Sequence, residues 1–131
     1  MIKYRCANLV DIRDNKILLV KVRDNQKYYL PGGKIEEGES DIQSLIREME
    51  EELSVRLLKD KLAYLDTIVG PAYPDTQFEV ELRCYTYEGL GDFKKSNEIT
   101  DVKYIEMDKS EMIAPAVNLL IEKIHQKSSI S

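Results

Sequence analysis

Glu48, Glu51 and Glu52 follow one another at i, i+3 and i+4. On a helix turning about 100° per residue, this spacing gathers three carboxylates into one sector of roughly 100°. Side chains three or four apart have Cβ atoms about 5 to 6 Å apart, and like charges there cost a few tenths of a kcal/mol per pair. Two situations tolerate that cost. One is a solvated helix face, where ions screen the repulsion. The other is a hard-cation site, where carboxylate oxygens and water share one or more Mg²⁺ ions. The helix alone does not choose between them. The surroundings sharpen the question, because residues 36–52 hold eight acids against the single base Arg47. Their local charge of −7 sits in a chain whose total is −5, so the remainder carries +2. Just upstream, Pro31-Gly32-Gly33 reads as a turn, with proline fixing φ and glycine free to take φ > 0.

The elements that must position these groups are legible from periodicity. Residues 40–53 place Ile42, Leu45, Ile46, Met49 and Leu53 along one helical stripe. Ser40 is the expected N-cap, with Gln43 completing a capping box. Residues 4–11 and 17–22 are rich in Val, Ile and Leu and flank Asp14-Asn15, a strand, turn, strand pattern. Residues 28–30 are a short extended piece, 62–69 a strand, and 102–106 another. In 77–87, Phe78, Val80, Leu82 and Cys84 alternate with Glu79, Glu81 and Arg83, the period of a sheet with one covered face. A closing helix starts near Pro115 with Val117, Leu120, Ile121 and Ile124 on one face, and residues 127–131 read as a frayed end. Strands interleaved with two helices predict an α/β layered domain in which helices cover a mixed sheet.

Gly33, Glu39, Arg47-Glu48-Met49, Glu51-Glu52 and Val55 follow the arrangement G-x5-E-x7-R-E-U-x-E-E-x-G-U, where U is a bulky aliphatic residue. This resembles the signature of the Nudix (MutT-like) hydrolases, matching eight of nine defined positions over a box at 33–55. The resemblance implies an α/β/α sandwich with a loop-helix-loop active site, here a single domain over 1–131. It also implies hydrolysis of a nucleoside diphosphate linked to another group, with Mg²⁺ as cofactor and Mn²⁺ as the alternative. A pyrophosphate would be repelled by bare carboxylates, so divalent ions must bridge the two. On the family pattern Glu51 and Glu52 lead as metal ligands, with Glu48 a third and the Gly32 carbonyl a fourth. Gly33, Glu39 and Arg47 are structural, the last two pairing the loop to the helix. Two carboxylates compete as catalytic base: Glu51, and Glu98 in Asn97-Glu98-Ile99 ahead of the last strand. Lys34 beside the glycines, and Arg23 or Lys21 on the strand leading toward them, are the expected phosphate contacts, with solvated surface charge as their alternative reading. Tyr28, Tyr73 and Phe78 are the aromatic residues that could stack on a base or serve as partial core. Ser54 stands where the family has glycine, a left-handed position that costs a side-chain-bearing residue roughly 1 kcal/mol, and a different loop conformation is expected there.

The resemblance points first to a nucleoside triphosphate pyrophosphatase releasing a monophosphate and pyrophosphate. ADP-ribose or dinucleoside polyphosphate hydrolysis is the alternative, since Pro71 and Tyr73 both fall where such subfamilies place a marker residue. A nucleotide sensor without turnover is the reading outside enzymology. In oxidised-purine triphosphatases an asparagine follows a Pro-Ala pair, whereas here Val117 follows Pro115-Ala116 and Asn118 comes one place late. Two cysteines and one histidine exclude a disulfide scaffold and an ordinary zinc site. Cys6 and Cys84 read as buried thiols, and His125 as a cation at a helix end with no catalytic part. No apolar run approaches a membrane span, and no leader precedes the first strand, so a cytoplasmic location is expected. The partner is a small-molecule nucleotide, bound by a monomer or homodimer. No basic patch points to nucleic acid, a capped RNA 5′ end excepted.

Overall fold

The computed structural model describes residues 2–23, 25–95 and 98–130. Strand β1 (Ile2–Leu9) lies at the centre of a four-stranded mixed sheet. It pairs antiparallel with β4 (Gly32–Lys34) and parallel with β6 (Glu79–Tyr87), which in turn pairs antiparallel with β5 (Leu62–Pro71). A second sheet of three antiparallel strands joins β2 (Ile12–Arg13), β3 (Lys16–Val22) and β7 (Ile99–Glu106). Helix α1 (Asp41–Leu53) packs on β1 and β4, and helix α2 (Pro115–Ile130) packs on β5.

Alternation along β1 explains the layering. Cys6 and Val10 join the apolar cluster under α2, with Val117, Leu120 and Ile121. Ala7 and Leu9 point the other way, into the cluster under α1, with Leu45, Met49 and Leu53. One strand thus feeds both cores of an α/β/α sandwich, as expected. The expected single sheet is two sheets.

Asp14 and Asn15 turn the β2–β3 hairpin with φ of 52° and 65°, the left-handed pair that a tight two-residue turn requires. Two expectations are corrected. Gly32 and Gly33 are not a turn but the start of β4, because Ala7 and Asn8 on β1 offer them ladder partners. The C-terminal residues are not frayed: α2 runs to Ile130, and Ser131 lies outside the described residues. The last strand begins at Ile99, three residues ahead of its predicted start. Among the described residues no helix is long and apolar enough to cross a membrane.

Candidate active site

Helix α1 carries the acidic face, and its start is firmly tied. Ser40 Oγ accepts the Gln43 backbone N–H at 3.1 Å while Gln43 Oε1 accepts that of Ser40 at 2.9 Å, the predicted capping box. Asp41 in the first turn accepts from Arg83 Nη1 at 2.7 Å and from the Tyr85 hydroxyl at 3.1 Å, both on β6. Leu45, Met49 and Leu53 are fully buried below, each stabilising the docking by about 1.5–3 kcal/mol. With that stripe facing inward, Glu48 and Glu52 are half-buried at its border and Glu51 is exposed.

Arg47 clamps the preceding loop to this face. Its Nε and Nη2 donate to the two Glu39 oxygens at 2.7 and 2.9 Å, and Nη1 donates to Glu48 Oε1 at 2.7 Å. It reaches further to Glu51 Oε2 and the Lys34 carbonyl, at 3.5 and 3.4 Å. A planar guanidinium supplies these donors in fixed directions, which an ammonium cannot. The Arg47 bonds, followed by the Glu36 backbone N–H, hold the Glu39 carboxyl down at about 2. Glu39 and Arg47 therefore have the structural geometry expected of them.

The two glycines let backbone and carboxylates approach. Gly32 has φ of +125°, and a Cβ there would lie 2.1 Å from the Ala7 carbonyl oxygen. A Cβ on Gly33 would lie 2.6 Å from the Glu48 carboxylate, so Glu48 folds over β4 only because that position is bare. The Gly32 N–H donates to Glu52 Oε1 at 3.3 Å. Burial pushes the Glu52 carboxyl up to about 7, with the charge of Glu48 the next cause and those of Glu51 and Glu98 adding to it. Burial also raises Glu48, against the pull of Arg47.

Glu48, Glu51 and Glu98 thus all press on the Glu52 carboxylate, and every donor they offer is a hard oxygen. That chemistry fits a divalent metal such as Mg²⁺. Among the described residues no three acids converge as a ready-made cage, because Arg47 holds Glu48 and the Gly32 N–H holds Glu52. Ser54 takes φ of 57° and ψ of 33°, the left-handed conformation usual for glycine. The loop after α1 is therefore not rerouted, contrary to expectation, and the serine bears the strain.

A cavity of about 410 Å³ opens beside these acids, with Glu52, Glu98, Lys34, Tyr29, Tyr73 and Val117 among its lining residues. Its volume is ordinary for a small-molecule site. Glu98 comes from the turn just ahead of β7, and its carbonyl accepts the Arg23 N–H at 2.8 Å; Asn97 lies outside the described residues. Of the basic residues expected at phosphate, Lys34 lines the cavity, with Nζ 6.0 Å from the Tyr4 ring. Lys21 does not. Val20 and Val22 face the cavity, so alternation along β3 sends Lys21 over the Tyr28 ring at 5.7 Å. Arg23 is exposed and also outside the lining.

Among the aromatics, Tyr73 lines the cavity, Tyr28 is core with its hydroxyl on Asp101, and Phe78 lies under Lys3 at 5.4 Å. Tyr29, absent from the sequence reading, donates its hydroxyl to the Tyr73 carbonyl at 3.0 Å. Asn8 was missed too, although a lone amide within Cys6-Ala7-Asn8-Leu9-Val10 is a polar interruption of an apolar strand. Val117 faces the cavity while Asn118 turns its amide to the Ser110 and Ile113 carbonyls. Cys6 and Cys84 are buried free thiols, both pushed up to about 12 by burial. His125 lines a separate depression with Asp14 and Asp108.

A layered α/β fold with an acidic loop-helix-loop beside a cavity defines a Nudix-type domain. The model of the NUDIX domain family matches residues 3–124, and the chain belongs to that family. Members hydrolyse pyrophosphate linkages and in general use a divalent metal. No curated protein matches the chain. Among solved structures it is similar to the MutT protein of Methanosarcina mazei Go1, with TM-score 0.77 and 18% identity over 95% of this chain and 94% of that one. It is similar to the E. coli ORF135 protein, with TM-score 0.72 and 22% identity over 96% and 91%. A C. elegans Ap4A hydrolase in a binary complex gives TM-score 0.70 and 19% identity over 98% and 99%. At these identities the likeness is one of fold.

Proposed function

We propose that this chain is a Mg²⁺-dependent nucleotide pyrophosphatase, with Mn²⁺ as the alternative ion, that converts a nucleoside triphosphate and water to the monophosphate and pyrophosphate. The observation that carries this reading is that one cavity is lined both by the acids Glu52 and Glu98 and by the aromatic residues Tyr29 and Tyr73. The acids suit the metal-complexed phosphates and the tyrosines the nucleoside. Glu48, Glu51 and Glu52 would hold the metal, with the Gly32 carbonyl as a further oxygen. A bound divalent ion neutralises phosphate charge and acidifies bound water.

The remaining steps belong to side chains. Lys34 at the cavity rim meets a phosphate oxygen as a point charge. Glu98 and Glu51 are the two carboxylates placed to accept the proton of the attacking water; Glu98 has the added support of lining the cavity. Arg47 and Glu39 hold loop and helix in register. The two unpaired thiols fit the reducing cytoplasm.

A second reading, cleavage of a dinucleoside polyphosphate, is favoured by the place of Tyr73 on the cavity wall and by the fold shared with the Ap4A hydrolase. One panel tests both. Nucleoside triphosphates, ADP-ribose and dinucleoside polyphosphates are incubated with Mg²⁺ and assayed for monophosphate and pyrophosphate release by wild type and Glu51→Gln. Release of pyrophosphate by wild type, lost in the variant, is expected. Undiminished activity in Glu51→Gln would sink the site assignment.

A further inference from the structure

The Pro31–Gly32 peptide touches the acidic face of α1 and the central strand at once. Its N–H donates to Glu52 Oε1 at 3.3 Å. Its carbonyl, on the opposite side of the same rigid plane, accepts the Leu9 N–H at 2.9 Å and Asn8 Nδ2 at 3.3 Å. The same Nδ2 donates to the Leu30 carbonyl at 3.5 Å, and the bend of the chain at Pro31 brings these two consecutive carbonyls within reach of one side chain. They fix the amide orientation, because the flipped form would set Oδ1 against carbonyl oxygens. The plane needs such a hold. Gly32 has φ of +125° and no side chain, so the peptide before it rotates at little steric cost. One donor on the Pro31 oxygen, that of Leu9, leaves the plane free to pivot about that bond. A second donor on the remaining lone pair stops the pivot. Asn8 is built to supply it: it is the cross-strand partner of Gly32 and 5% exposed, with Nδ2 3.0 Å from where a Gly32 Cβ would stand. Its Oδ1 is buried with no hydrogen-bond partner among the described residues, so packing alone would be better served by an apolar side chain of this size.

We infer that Asn8 is a positioning residue for the metal site: by holding the Pro31–Gly32 peptide plane it aims the Gly32 N–H at Glu52 and so sets the orientation of that carboxylate before a divalent ion arrives. The inference rests on the metal-site reading above. Asn8 itself meets neither the ion nor the nucleotide. Groups that orient a metal-binding side chain govern metal affinity by about 10- to 100-fold. The effect of Asn8 therefore falls on Mg²⁺ binding and not on the chemical step once the ion is bound.

Two variants test the idea. Asn8→Leu keeps the volume and removes the donor, and Asn8→Ser shortens the side chain so that its hydroxyl stops short of both carbonyls. Mg²⁺ is titrated into each metal-free protein by calorimetry, beside wild type, Glu52→Gln and Ile121→Val, the last of which trims the core under α2. Both Asn8 variants should bind Mg²⁺ about 10-fold more weakly than wild type and need about 10-fold more Mg²⁺ for half-maximal hydrolysis, with kcat at saturating Mg²⁺ within about 3-fold of wild type. A role in folding alone would lower the thermal midpoint and leave the Mg²⁺ affinity of the folded protein unmoved, as Ile121→Val should. Wild-type affinity in a folded Asn8 variant overturns the inference, as does an equal loss in Ile121→Val or the failure of both Asn8 variants to fold. Wild type that binds no Mg²⁺, or a Glu52→Gln that binds it as tightly as wild type, overturns the metal-site reading and the inference with it. Binding that depends on Glu52 and not on Asn8 overturns the inference alone.

Discussion

Replacing Glu52 by glutamine exchanges a buried carboxylate under electrostatic pressure for a neutral isostere able to keep the bond from the Gly32 N–H. Folding lifts this carboxyl from an ordinary 4.5 to about 7. The folded protein therefore holds the proton more tightly than the unfolded chain, and wild-type stability falls as pH rises from about 4.5 to about 7. Above that window the full penalty is present; below it there is none. At 1.36 kcal/mol per pKa unit the penalty is about 3 kcal/mol. With an unfolding entropy of about 2.1 cal/mol/K per residue, a chain this size shifts its midpoint by about 4 °C per kcal/mol. Metal-free Glu52→Gln should thus unfold about 10 °C above wild type at pH 8 and within a degree or two of it at pH 4. Thermal unfolding in chelator at the two pH values measures both differences. Adding Mg²⁺ at pH 8 should narrow the gap by stabilising wild type, and the variant should lose hydrolysis. A gap that does not depend on pH, or a variant less stable than wild type at pH 8, would refute the reasoning, since either outcome means that Glu52 is not a compressed charge.

Ser54→Gly relieves a left-handed serine and should stabilise the fold by about 1 kcal/mol, raising the midpoint by about 4 °C in a thermal melt. Gly33→Ala sets a methyl 2.6 Å from the Glu48 carboxylate; displacement of that ligand should weaken Mg²⁺ binding by calorimetry and lower kcat/KM at least about 10-fold. Arg47→Lys keeps the charge but not the fork, and should cost a similar factor in activity. In the same variant an NMR titration should find Glu39 back toward an ordinary carboxylate value, where wild type holds it near 2. The Glu39 contribution to stability is accordingly present above about pH 4 and lost as pH falls toward 2, a window that Arg47→Lys should erase from the acid limb of the stability curve.

The parts of the site that could be read in advance share one property: they are close in sequence. Glu48, Glu51 and Glu52 meet through helical period alone, and Ser40 with Gln43 through the geometry of a helix start. Ser54 shows where local reasoning overreached. The serine keeps the left-handed conformation, and the expectation that the loop would differ ignores the bonds from the Ser54 N–H to Glu50 and from the Val55 N–H to Met49, which hold the left-handed turn in place. The glycine pair was misread for a related reason. Proline followed by glycines is a turn in isolation and becomes a strand only because β1 lies beside it with ladder partners to offer. Lys21 and Lys34 looked alike as basic residues near the box, and strand alternation sent only Lys34 to the cavity.

The sequence by itself determined the family, the acidic helix face and the hard-oxygen character of the donors on it, because box and helix period are written in consecutive residues. Only the tertiary structure decided what that face confronts. The cavity takes Asn8 from β1, Glu98 from the turn ahead of β7, Tyr73 from the segment between β5 and β6, and Val117 from α2, residues separated by more than a hundred positions. Their meeting follows from a parallel pairing of β1 with β6 and from the packing of two helices on opposite faces. Such contacts depend on which apolar surfaces bury one another, a collective outcome of the whole chain that no local pattern encodes.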